Sequence, residues 1–221
     1  MKRLLIILIG ITFILSLSTL SAEATIYYPS DDAFVLKNCS NTNYGSRADL
    51  IVGRHVVTGR YQTYLKFNLS LLSGSIIDSA ALKLYKSGYS MDTSNVNLYR
   101  VAENWDEETI TWNNKPSNYS TIISSTSVKN GGIWYTWTGE EFKDLIQGWV
   151  DGTYDNYGMV LMTSCGGDYE FCSKEYCLSS YRPYLEIKST PIPEPASMLL
   201  LGSLATGLFG FAGLRKRFSR R

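Results

Sequence analysis

Between residues 61 and 69 the chain alternates: Leu65, Phe67 and Leu69 are apolar, while Tyr64, Lys66 and Asn68 between them carry polar ends. Period two sends successive side chains to opposite faces of an extended strand, so the segment reads as a half-buried β-strand. Residues 80–86 repeat the pattern, with Leu82 and Leu84 inward and Lys83 and Tyr85 outward. Further extended runs are expected at 25–28, 33–36, 50–53, 96–101, 158–163 and 184–188. Turn formers separate them: Pro29-Ser30-Asp31-Asp32, a polar loop at 38–47, and a Gly-flanked hairpin connection at 53–59. Strand and turn formers at such short spacing predict an all-β domain. One segment breaks the pattern. Phe142, Leu145, Ile146, Trp149 and Val150 recur at helical spacing, which predicts a single short amphipathic helix. Thr138-Gly139-Glu140-Glu141 before it matches a capping box, and Gly152 is a suitable stop.

The two ends belong to a different kind of chain. Lys2-Arg3, an apolar run at 4–17 and Ala22-Glu23-Ala24 read as a secretory signal peptide, residues 1–24. At the other end Pro193-Glu194-Pro195 precedes an uncharged run and then Arg215-Lys216-Arg217-Phe218-Ser219-Arg220-Arg221. As an α-helix, residues 196–214 would be about 28 Å long, close to a hydrocarbon core of roughly 30 Å. The basic tail, 215–221, would stay cytoplasmic. This tripeptide, helix and basic end resemble the PEP-CTERM sorting signal. The resemblance implies passage through the inner membrane, processing near Pro193, Glu194 and Pro195 by an exosortase-type membrane protease, and then residence at the cell surface or in the extracellular matrix. A plain C-terminal anchor is the alternative.

The formal net charge of +1 is carried by these ends, where Lys2, Arg3, Arg215, Lys216, Arg217, Arg220 and Arg221 lie. The domain between them, 25–190, is mildly acidic and has no basic stripe, which argues against nucleic acid as a partner. Cys39, Cys165, Cys172 and Cys177 are an even set in an exported domain and so are disulfide candidates. Their clustering suggests one local bridge within 165–177, with Cys39 joining the remaining cysteine. Their spacing is not that of a zinc site.

Tyr44-Gly45, the strand at 64–69, Ser79-Ala80-Ala81-Leu82-Lys83-Leu84-Tyr85, Trp105-Asp106-Glu107-Glu108-Thr109-Ile110-Thr111-Trp112-Asn113-Asn114-Lys115-Pro116 and Arg182-Pro183-Tyr184-Leu185-Glu186 stand in one order along the domain. Together they resemble the DNRLRE, or disaggregatase-related, domain. That resemblance implies a β-sandwich of jelly-roll type on secreted and surface proteins, some of them grouped with carbohydrate-binding modules. It carries no catalytic motif.

No catalytic residue is expected from the residues themselves. Asp106, Glu107 and Glu108 are consecutive and cannot all converge across a cleft as a glycosidase pair must. Trp105 and Trp112 read as core residues, and His55 has no motif partner. No cofactor is expected beyond a structural calcium ion at Asp31 and Asp32 beside the loop at 38–46, with a turn-forming Asp pair as the alternative. If the strands at 61–69 and 80–86 share a sheet, Tyr64, Lys66, Lys83 and Tyr85 lie on one exposed face. They would then stack on sugar rings and pair with carboxylates, making extracellular polysaccharide the expected partner. A matrix protein without a specific ligand is the alternative reading, and a polysaccharide-active enzyme a further one.

Overall fold

A computed structural model of the protein describes residues 23–89, 92–164 and 166–192. The signal peptide up to residue 22, the Pro-Glu-Pro motif, the expected membrane helix, the basic tail and Cys165 lie outside the described residues. No helix among the described residues is long and apolar enough to cross a membrane. The described residues up to Thr190 form one compact unit; the other, Pro191–Arg221, is described only at Pro191 and Ile192.

Among the described residues the unit is an all-β sandwich with one α-helix. Its strands are β1 (Ala24–Tyr27), β2 (Pro29–Leu36), β3 (Asp49–His55), β4 (Gly59–Phe67), β5 (Ser75–Lys86), β6 (Ser94–Val101), β7 (Tyr119–Val128), β8 (Ile133–Trp137), β9 (Met159–Met162), β10 (Gly167–Cys172) and β11 (Tyr184–Pro191). Helix α1 (Glu140–Val150) lies between β8 and β9. The strands are hydrogen-bonded in the order β1-β11-β5-β10-β3-β4-β9-β6-β7, with β2 added on β4 and β8 on β5. The sheet closes over a core that takes Leu65 and Phe67 from β4, Leu82 and Leu84 from β5, Leu98 from β6 and Trp137 from β8. Phe142, Leu145, Ile146 and Trp149 complete it from α1, the face expected from their spacing.

Two local expectations change. Pro29-Ser30-Asp31-Asp32 is not a turn but the start of β2, paired with β4. Proline is tolerated there because a first strand residue need not donate to the ladder. The capping box does not form: the N-cap is Gly139, with φ 131° and no side-chain cap bond. The Thr138 hydroxyl instead donates to the Ala80 carbonyl at 3.1 Å, tying the helix start to β5. Gly152 has φ 71°, the left-handed stop that the sequence suggested.

The segment between β6 and β7, residues 102–118, lies against the outer face of the sheet. It brings Trp105 and Ile110 down onto Ala33 and Val35 of β2, Tyr64 of β4 and Val160 of β9. This makes a second, smaller core on the side of β4 that faces away from the main one. Asn43 staples the segment in place: its Nδ2 donates to the carbonyls of Glu107 (2.7 Å) and Ile110 (2.8 Å).

Candidate functional site

The four residues expected on one exposed face do not share it. β10 and β3 stand between β5 and β4 in the sheet, and the apolar faces of both strands meet in the same core. Their outer faces therefore look in opposite directions. Tyr64 is not outward in water but fully buried beneath Trp105, ring centroids 5.6 Å apart. Its hydroxyl lies 2.6 Å from that of Tyr119, and burial pushes its ionisation far above the ordinary tyrosine range. Lys66 is pinned rather than free. Its ammonium donates to the Trp105 carbonyl at 2.8 Å and sits 4.7 Å from the centre of the indole.

Lys83 and Tyr85 do lie on the outer face of β5, in company that the sequence did not suggest. Tyr85 stacks on Tyr181, centroids 4.2 Å apart, and meets Trp134 of β8 edge-on at 5.5 Å. Trp134 in turn meets Tyr184 of β11 at 5.1 Å. All four rings are half-buried, and Lys83 pairs with Glu186 at 3.7 Å beside them. β5 pairs directly with β8, placing Tyr85 opposite Trp134. The result is a row of partly exposed π-faces with an ion pair at its edge.

The opposite side of the sandwich carries a cleft of about 380 Å³ lined by Lys37, Arg54, His55, Arg60 and Trp112, among others. The β3–β4 hairpin positions Arg54 directly opposite Arg60. Val57 and Thr58 donate their amides to His55 Nδ1 at 3.3 and 3.4 Å, and Asn38 holds the Val57 carbonyl at 2.9 Å, so the hairpin tip is tied to the end of β2. Trp112 reaches the cleft from the 102–118 segment, whose turn is set by the Asn114 side chain accepting from the Thr111 amide at 2.6 Å. Ion pairs among the described residues use Arg47, Lys83, Lys143 and Lys174, and none of the cleft's cations. Lys37, Arg54 and Arg60 are exposed around a half-buried indole. That combination suits a ligand with a flat apolar face and negative charge at its edges.

A family model for carbohydrate-binding modules, family 96, matches residues 23–189. The chain belongs to carbohydrate-binding module family 96. A family 96 module is a carbohydrate-binding domain. The module is 26% identical to a gellan lyase of Bacillus sp over 191 residues, covering 83% of this chain and 8% of the lyase. It is 28% identical to the tRNA nuclease WapA of Bacillus subtilis (strain 168) over 177 residues, covering 73% of this chain and 7% of the nuclease. The chain thus spans less than a tenth of the length of either relative.

The expected calcium pair also separates. Asp31 and Asp32 are neighbours on β2, so their side chains leave opposite faces. Asp31 accepts from Ser30 at 2.7 Å. Asp32 is fully buried and accepts from the Lys174 amide at 2.8 Å. Around it stand Glu107 and Glu175, with the Lys174 ammonium 2.9 Å from Glu107 and also against Glu175. Burial pushes the Asp32 carboxyl up to about 8, and it raises that of Glu107 as well. Burial alone would lower the Lys174 ammonium, but Glu175 and Glu107 outweigh it and raise it. Glu107 is therefore half inside, unlike Asp106, which stays exposed and accepts from the Glu108 amide at 3.0 Å.

The cysteine pairing is not formed among the described residues: Cys39, Cys172 and Cys177 are free thiols. Cys39 is exposed at the turn after β2, whereas Cys172 is buried at the end of β10. Burial pushes the Cys172 thiol up to about 11, so it stays protonated and unreactive.

Proposed function

We propose that the protein is an exported, non-catalytic surface protein whose module binds acidic extracellular polysaccharide in the cleft of Lys37, Arg54, His55, Arg60 and Trp112. The observation that carries this is the set of unpaired cations around a half-buried indole, in a chain of a carbohydrate-binding family. The indole carries the Lys115 ammonium 5.0 Å from its centre, its exposed remainder offers apolar contact to a sugar ring, and the guanidinium groups offer forks for carboxylates. The gellan lyase match supports a polysaccharide as the ligand. The nuclease match likewise covers only 7% of a much longer chain. The row of Tyr85, Trp134, Tyr181 and Tyr184 is a second surface for the same class of ligand, favoured by its partly exposed rings.

Affinity electrophoresis in gels containing a uronate polysaccharide or a neutral one tests both surfaces. An Arg54→Ala/Arg60→Ala variant should lose about tenfold in affinity for the acidic polymer at low salt, and the difference should shrink as salt rises. A Trp134→Ala variant should keep that salt-dependent binding. Unchanged retention of the arginine variant would exclude the cleft.

The sorting reading completes the proposal. The Pro193-Glu194-Pro195 tripeptide, apolar run and basic tail support recognition by an exosortase-type protease after the chain crosses the inner membrane. Mass spectrometry of the surface-associated protein should find no peptide from residues 198–221. Recovery of such peptides in stoichiometric amount would show that the tail remains as an anchor.

A further inference from the structure

The acidic pocket under the 102–118 segment holds more negative charge than its surroundings neutralise. Asp32 of β2, Glu107 of the segment and Glu175 after β10 each offer a carboxylate oxygen, and these oxygens all lie within 4.8 Å of one another. Lys174 is the cation paired there among the described residues. With all three ionised, the carboxylates and the one ammonium would leave a formal charge of about −2, which a single divalent cation would cancel. Two buried oxygens, Asp32 Oδ1 and Glu175 Oε2, have no hydrogen-bond partner among the described residues. Asp32 has no exposed surface at all. Buried polar atoms are otherwise almost always satisfied, so an orphaned oxygen on a carboxylate grouped with two others needs an account.

We propose that Asp32, Glu107 and Glu175 together bind one divalent cation, with calcium the ion that the ligand set fits. The donors are all carboxylate oxygens, the preference of hard cations. Calcium–oxygen distances of roughly 2.3–2.6 Å let three ligands of one ion stand up to about 4–4.5 Å from one another, which is compatible with oxygens that all lie within 4.8 Å of one another. Magnesium demands near-ideal octahedral geometry and dehydrates reluctantly, so a site of three carboxylates suits it less. The ion would join three segments remote in sequence: β2, the segment that covers the outer face, and the loop that follows β10. It is independent of the polysaccharide reading, because none of its ligands lines the cationic cleft.

The test uses the purified full-length protein in detergent, stripped with EDTA and then titrated with calcium or magnesium chloride alone. Equilibrium dialysis with radioactive calcium should give one bound ion per chain. The thermal unfolding midpoint should rise saturably with calcium and respond less to magnesium. Glu175→Gln keeps the shape of the side chain and should abolish both effects while leaving a folded domain. Asp32→Asn should do the same, and Glu175→Gln decides the matter if Asp32→Asn fails to fold. Absence of bound calcium in the folded wild type, or undiminished calcium affinity in Glu175→Gln, would overturn the proposal in favour of a protonated Asp32.

Discussion

Trp105→Ala should cost about 3–5 kcal/mol of stability, the usual range for removing a buried large aromatic. The indole is 6% exposed and is the centre of the outer core. Its Nε1 donates to the Tyr157 carbonyl at 2.8 Å, its ring packs on Tyr64, and Lys66 caps it from outside. Truncation therefore leaves a cavity above Tyr64, an unpaired carbonyl at Tyr157 and a lysine without its aromatic face. Because the main core does not include Trp105, the secondary structure should survive while the outer layer loosens. Urea unfolding followed by circular dichroism measures the loss. Chemical nitration of Tyr64, blocked in the wild type, reports the loosening. A cost below about 1 kcal/mol, within the range of ordinary surface substitutions, would mean that the segment rests on the sheet without holding it.

This outer core marks where reading the sequence stops working. The strand at 61–69 was legible because Leu65 and Phe67 alternate with polar-ended residues, and the structure buries both. The same alternation made Tyr64 look solvent-exposed, since one buried face and one wet face is the usual state of an antiparallel strand. Here a second layer, delivered by a segment some forty residues later in the chain, covers the wet side. A tyrosine suits either environment, so nothing local distinguishes them. Strand β7 was missed for a related reason: its sequence, YSTIISSTSV, has exposed Ile122 and hydroxyl residues where alternation would show apolar ones. Its order comes from pairing with β6 along nearly its whole length. Strand β8 went unread because its signal is only five residues long, and with it went Trp134 and the aromatic row.

The cationic cleft was invisible for a different reason. Lys37, Arg54 and Arg60 sit in no motif, and the hairpin register alone brings Arg54 opposite Arg60. Trp112 reads as a core residue because large aromatics dominate core burial, which is half right: it packs against the outer core and also lines the cleft. The acidic pocket shows the same division. Asp32 was a candidate from its neighbour Asp31, yet its real companions, Glu107 and Glu175, lie 75 and 143 residues further along. Adjacent residues on a strand point apart, so a pair in sequence is a poor guide to a pair in space.

Gly45→Val should destabilise the domain by about 3 kcal/mol, the upper end of ordinary overpacking costs. A Cβ at Gly45 would stand 2.2 Å from the Glu107 carbonyl oxygen and 2.7 Å from Glu107 Cγ. The obstacle is backbone, which cannot swing away as a side chain can. It is also held: Asn43 Nδ2 binds the same carbonyl at 2.7 Å, while Asn43 Oδ1 accepts from the Gly45 amide at 3.1 Å. Relieving the clash means breaking those bonds or lifting the whole 102–118 segment off the sheet, Trp105 and Glu107 with it. This gives the Tyr44-Gly45 pair a physical reason: Tyr44 stacks on Phe34 at 4.4 Å to anchor the loop, and Gly45 leaves the space that Glu107 enters. Gly166→Val is the control, because a Cβ there meets nothing within 4 Å and its backbone is not in the left-handed region. The two variants should differ by most of the 3 kcal/mol in urea midpoint stability, and only Gly45→Val should expose Tyr64 to nitration. Equal midpoints for the two would mean that the segment yields to the added side chain at no cost, and that the tight approach at Gly45 does not hold it in place.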